Sequence, residues 1–80
     1  MEVKAFTLSI VVYNRFGVLV RVAGLFSKRG YNIDSLHVDV TQEDEELSRI
    51  IMTSRGNDAT KLQIVKQLSK LHDVKEVKII

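Results

Sequence analysis

Cysteine and proline are both missing from this sequence, and glycine occurs only four times in 80 residues. Without cysteine there are no disulfides, no thiolate metal sites and no cysteine nucleophile, which fits a reducing compartment. So little proline and glycine leaves no flexible linker inside the chain. No apolar run approaches the ~20 residues that a membrane-spanning helix needs. The first ten residues, MEVKAFTLSI, lack the basic, apolar, small-residue order of a signal peptide. The expectation is a cytoplasmic domain with no membrane association. The net charge of +2 is too small to imply a nucleic-acid partner by itself.

What is present suits one globular domain over residues 1–80. Hydrophobic residues make up 45 %, which argues against disorder. A chain this short buries only about 60 % of its unfolded surface, so association would help it. Arg15, Arg21, Lys28 and Arg29 flank one amphipathic run, and Asp39, Glu43, Asp44, Glu45 and Glu46 crowd an acidic stretch. Both groups read as solvated faces.

The periodicity divides the chain. From Lys4 to Val12, Phe6, Leu8, Ile10 and Val12 alternate with Thr7 and Ser9, as in a half-buried strand. From Val18 the period changes: Val18, Leu19, Val22, Leu25 and Phe26 mark one helix face. Gly30 suits the positive φ that ends such a helix. YNIDSLHVDV predicts a second strand, with Leu36, Val38 and Val40 on one face. TQEDEE predicts a hairpin loop, and LSRIIMTSR a third strand with Ile50 and Met52 inward. Asn57 is placed to cap a second helix whose apolar spine is Leu62, Val65 and Leu68, flanked by Ile64 and Leu71. VKEVKII closes the chain as a fourth strand. The order βαββαβ predicts a ferredoxin-like α+β sandwich of four antiparallel strands with two helices on one face. Its second strand would be an edge without proline or lysine, open to pairing with another copy.

Catalytic chemistry finds little support. The two histidines, His37 and His72, lack convergent partners, with His72 expected at the end of the second helix. The acidic run lacks the ligand alternation of a calcium loop. No metal site and no cofactor are expected in this chain. RNA-binding domains of the same fold stack bases on aromatics of the two central strands. Here those strands turn Thr7, Ser9 and Val11, or Leu47, Arg49 and Ile51, outward.

The segment YNRFGVLVRVAGLFSKRGYNIDSL, Tyr13 to Leu36, offers different chemistry. A turn delivers the chain to a helix N-terminus, where unpaired N–H groups and the helix dipole suit a carboxylate. Gly17 lets a ligand approach the backbone. Asn14 and Asn32 each supply a donor and an acceptor. An α-amino acid needs that mixture plus an apolar wall. The plainer reading is that Asn14 and Gly17 only shape a turn.

The string NRFGVLVRVAGLFSKRGYNIDSL, followed by LSRIIM, closely resembles the N-terminal ACT domain of the small regulatory subunits of acetolactate synthase. It matches G-x-L-x-R-x-x-G-L-F-[SA]-x-R-G-[YF]-N-I-x-S-L from Gly17 to Leu36, and the likeness covers nearly the whole chain. Members of that family usually continue into a second domain, whereas this sequence ends at Ile80.

The resemblance implies a non-catalytic subunit that activates the catalytic large subunit and mediates feedback inhibition by a branched-chain amino acid, typically valine. Thiamine diphosphate, magnesium and flavin would belong to the catalytic subunit. It also implies a homodimer paired side by side, with effector at the interface. The loop Asn14, Arg15, Phe16, Gly17, Val18 and Leu19 of one protomer would face Asn32 and Ile33 of the other, and Asn32, Ile33, Leu36 and Val38 would form the dimer seam. On chemical grounds, the Gly17 and Val18 N–H groups would hold the carboxylate, and Asn14 and Asn32 the polar remainder. Val18, Leu19 and Ile33 would limit the pocket. Aspartate at position 17 is expected to abolish binding and leave the fold intact. Two alternatives remain: an ACT module sensing another small ligand for another enzyme, and a ferredoxin-like RNA binder.

Overall fold

A computed structural model describes residues 3–41 and 45–80. Glu43 and Asp44, in the predicted hairpin loop, lie outside the described residues. The elements are β1 (Lys4–Tyr13), α1 (Val18–Lys28), β2 (Ile33–Val40), β3 (Leu47–Gly56), α2 (Asp58–Ser69) and β4 (Val74–Ile79). They form one antiparallel sheet in the order β2-β3-β1-β4. The fold is the expected βαββαβ sandwich, with β1 and β3 central and β2 and β4 at the edges.

The alternation in β1 decides the core. Leu8, Ile10 and Val12 point under the helices and are almost wholly buried, with Phe6 close behind. β3 pairs with β1 from Lys4 opposite Gly56 to Tyr13 opposite Leu47, and adds Ile50 and Met52 to the same layer. Val18, Val22 and Phe26 come down from α1, Ile64 and Leu68 from α2. The outward face is less open than the alternation suggests. Val11 is only 6 % exposed, because it sits in register between Arg49 and Glu76 at the centre of the sheet.

Helix α1 ends as its glycine predicts. Gly30 has φ of +72°. The Gly30 N–H donates to the Ser27 carbonyl at 3.2 Å and the Tyr31 N–H to the Phe26 carbonyl at 2.8 Å. The Tyr31 ring meets Phe26 edge-on at 5.9 Å. Two of the last turn's carbonyls are thus satisfied and the chain turns back toward β2. Helix α2 begins as predicted on Asn57, whose side chain accepts the Thr60 N–H at 2.8 Å.

Two sequence expectations shift. Leu62 is 63 % exposed, so the buried spine of α2 is Ile64 and Leu68, with Val65 and Leu71 half-buried. Positions 61, 64, 65 and 68 share one helical face, and 62 lies off it. The β2 face is the second difference. Leu36 is half-buried, but Val38 and Val40 are 42 % and 53 % exposed. They pair with Ile50 and Ser48, toward the end of the sheet where α1 begins.

Candidate functional site

An open groove of about 240 Å³ lies at that end of the sheet. Val12 and Ile50 line it from the central strands, Val18, Leu19 and Val20 from α1, and Val38 from β2. Asn14, Arg15 and Gly17 of the β1–α1 loop and Ser48 of β3 add polar groups. It is smaller than the ~300–1,000 Å³ typical of drug-sized ligand pockets. A small solute with an apolar side chain fits its size and lining.

The loop has a defined shape. The Asn14 N–H donates to the Glu46 carbonyl at 2.6 Å and the Arg15 N–H to the Tyr13 carbonyl at 2.8 Å. Gly17 is the N-cap of α1, with φ of +80° and no side-chain cap bond. The first turn carries no acidic residue. The Val18 N–H does not serve as expected, because it already donates to the Arg15 carbonyl at 3.2 Å. Among the described residues, no backbone acceptor takes the N–H of Gly17, Leu19 or Val20. Those groups are the ones available to a guest carboxylate.

Within one chain, the predicted site residues separate into two groups. Asn14, Arg15, Gly17, Val18 and Leu19 meet at the groove together with Val38. Phe16 points away and is fully exposed. Asn32 and Ile33 stand at the other end of β2. Ile33 pairs with Ser54, whereas Tyr13, next to Asn14, pairs with Leu47 at the opposite end of β3. That separation is roughly 20 Å at a rise of ~3.3 Å per residue. Asn32 is also engaged locally. Its amide donates to Asp34, which in turn accepts Arg55 Nε at 2.7 Å, and its carbonyl accepts the Ser54 hydroxyl.

The sequence reading missed two residues. Ser48 is 4 % exposed and lines the groove. Asp73, 7 % exposed in the α2–β4 turn, accepts Arg21 Nε at 2.7 Å, a closer contact from Arg21 Nη2, and Arg15 Nη1 at 3.2 Å. The hydrogen bond from Arg21 is the main reason its carboxyl lies below the ordinary 3.8; partial burial opposes the shift, and the charges of both arginines with the Arg15 hydrogen bond add to it. Arg15 and Arg21 are therefore more than solvated charges. Arg21 Nη1 lies 3.3 Å from where a Cβ on Gly17 would sit. Aspartate at 17 would combine a disfavoured φ with pressure on Arg21, so that substitution does not leave the local structure intact.

Other expected features are plainly placed. His37 is exposed on β2, and His72 lies in the turn after α2 rather than at the helix end. Among the described residues, no three His, Asp or Glu side chains converge for a metal ion, and no helix is long and apolar enough to cross a membrane. The aromatic on the outward face of β1, Tyr13, has the Arg15 guanidinium 4.8 Å from its ring centroid.

The family model for the AHAS (acetohydroxyacid synthase) small subunit-like ACT domain matches residues 8–76. The chain belongs to this family. It is 49 % identical over 65 residues to the probable acetolactate synthase small subunit of Archaeoglobus fulgidus, covering 81 % of this chain and 40 % of that protein. It is 50 % identical over 70 residues to the acetolactate synthase isozyme 3 small subunit of Escherichia coli K12, covering 88 % of this chain and 42 % of that one. The crystal structure of the acetolactate synthase small subunit from Thermotoga maritima superposes with a TM-score of 0.88 at 38 % identity, over 95 % of this chain and 47 % of that one. This ACT domain thus spans less than half the length of these relatives. The ACT domain of a GTP pyrophosphokinase from Chlorobium tepidum superposes at a TM-score of 0.80 with 18 % identity, which is a likeness of fold alone.

Proposed function

We propose that the chain is the effector-binding part of an acetolactate synthase small subunit, a non-catalytic regulator that binds a branched-chain amino acid, valine first among them. The observation that carries the reading is the groove. Apolar side chains line it, its size suits a small solute, and it meets a helix N-terminus with amide groups to spare. The carboxylate would sit at the N–H groups of Gly17, Leu19 and Val20. The Asn14 carboxamide would accept from the ammonium group, and Val18, Leu19 and Val38 would contact the branched side chain.

The strand geometry supports a two-copy site. β2 is an edge strand, and the groove lies at its Val38–Val40 end. If two copies pair β2 to β2, antiparallel about a two-fold axis, the Asn32–Ile33 end of one comes beside the groove of the other. The roughly 20 Å separation within one chain then becomes adjacency across the seam. Leu36 and Val38 would lie along that seam. Effector bound there would favour one arrangement of the complex with the catalytic large subunit only through differential affinity, a coupling of about 1–3 kcal/mol. Thiamine diphosphate, magnesium and flavin would stay with that large subunit.

Calorimetric titration with valine, leucine, isoleucine and serine, with the solution mass recorded alongside, tests the reading. Saturable binding of valine to a dimer, with no response to serine, is expected. A folded dimer that takes up none of the branched-chain amino acids would overturn the assignment of the groove. A monomer that binds valine would overturn the two-copy site.

A further inference from the structure

We propose that Asp73, in the turn between α2 and β4, is a positioning residue for the effector loop: it holds Arg15 and Arg21 so that the chain from Asn14 to Gly17 keeps the shape a carboxylate ligand needs. The inference rests on the groove being an amino-acid site.

The geometry joins parts of the chain far apart in sequence. Arg21 lies one turn into α1 and presents both Nε and Nη2 to one Asp73 oxygen. Arg15 lies in the loop itself and reaches the other oxygen. The backbone adds a third tie, since the Tyr13 N–H donates to the Asp73 carbonyl at 2.8 Å. The loop is thus anchored on one side to a turn that otherwise belongs to the other half of the fold. Val74, the next residue, pairs with Val12 at an irregularity in the β1–β4 ladder, which fixes that turn against the sheet.

Three observations separate this cluster from an ordinary surface ion pair. Asp73 is nearly buried, while each arginine keeps about half its side chain exposed. The carboxylate is therefore the fixed member and the guanidinium groups are what it orders. Beneath them, Val18, Val22, Leu71 and Val74 line a cavity of about 70 Å³, so the contact has an apolar floor on one side. Moreover, Arg21 Nη1 occupies the space beside Gly17. The N-cap glycine, the arginine and the aspartate form one connected unit, and a site held by packed supporting residues binds better than a loop left to itself.

The opposite role is also chemically reasonable. Asp73 could compete with the ligand carboxylate for the same guanidinium groups, and then its removal would strengthen binding. The sign of the change decides. The experiment uses Asp73→Asn and Arg21→Gln, singly and together, in the full 80-residue chain. Valine affinity is read by calorimetry and the mobility of the backbone amides 14–19 by ¹⁵N relaxation. Each single variant is expected to weaken valine binding about tenfold or more and to raise loop mobility. The double variant is expected to weaken it no further, because both act through one contact. Additive losses, unchanged loop mobility or tighter valine binding in Asp73→Asn would each overturn the proposal. If Asp73→Asn does not fold, Arg21→Gln, at a half-exposed position outside the groove lining, carries the test alone: weaker valine binding with higher loop mobility is expected, and unchanged loop mobility overturns the proposal. If the unmodified chain binds no branched-chain amino acid, the reading of the groove fails, and the relaxation data alone decide whether Asp73 orders the loop.

Discussion

Helix α2 starts on an asparagine whose carboxamide accepts the Thr60 N–H at 2.8 Å, with Asp58 in its first turn; α1 starts on a glycine with φ of +80°, no side-chain cap and no acidic residue. The first arrangement satisfies a helix end from within. The second leaves N–H groups and a positive dipole facing a groove. The same contrast runs along the helices. The exposed Leu62 of α2 lies on its solvent side, whereas the exposed Leu19 and Val20 of α1 line the groove beside Val38. One helix end is closed by its own side chains, and the other is left open beside the groove. A cap that would stabilise α1 would also occupy the place proposed for the ligand carboxylate.

The largest effect should come from the buried side of α2. Leu68→Ala is expected to cost about 2–5 kcal/mol, and Leu62→Ala to stay within about 0.5 kcal/mol. Chemical denaturation of both variants reads the difference. Equal losses would mean that the face assignment of α2 is wrong. Next in size is the open end of α1. Gly17→Asp should lower stability by about 1–2 kcal/mol, the cost of an L residue in the left-handed region. It should also abolish valine binding, since a side chain at 17 points at Arg21 and its carboxylate would compete with Asp73 for that guanidinium and disturb the loop. Unchanged valine affinity in a folded Gly17→Asp chain would remove the carboxylate from the α1 N-terminus.

Asn57→Ala sharpens the contrast from the other side. Loss of the cap should cost about 1 kcal/mol of stability, while valine affinity stays as it was. Should this variant weaken valine binding, the two helix ends would not be functionally separate.

Much of this contrast is legible in the sequence because it is local. Alternation marks β1, an asparagine before an apolar-periodic run marks the α2 cap, and a glycine after basic residues marks the end of α1. The face of α2 is harder to read, because Leu62 and Ile64 both fit an apolar spine and only the sheet beneath chooses between them. The β2 face fails for a related reason: Val38 and Val40 alternate like core residues, but cover depends on where α1 begins above them. Asp73 has no local signature at all. It is one aspartate in a polar turn, and its partners are 52 and 58 residues away. Asn14 and Asn32 lie at opposite ends of the sheet within one chain, as a site shared between two protomers requires, but no local pattern in the sequence shows that distance.

The smallest expected effect concerns pH near neutrality. The carboxyl of Asp73 is held below 3.8, mainly by its hydrogen bond from Arg21, with Arg15 as its second partner and His72 next in the chain. A group whose folded value is depressed contributes stability that is fully present above its unfolded value and is lost as pH falls through the folded one. The contact with Arg15 and Arg21 should therefore be intact at pH 7 and at pH 5, and should fail only below the ordinary carboxylate value. The α2 end offers a control in one bond, because the Thr60 N–H is held by the Asn57 carboxamide, which does not titrate. Amide exchange of Tyr13, Asn14 and Arg15, compared with that of Thr60 across an acid titration, would separate the two. Loosening of the loop already between pH 7 and pH 5 would mean that a group other than Asp73 holds it.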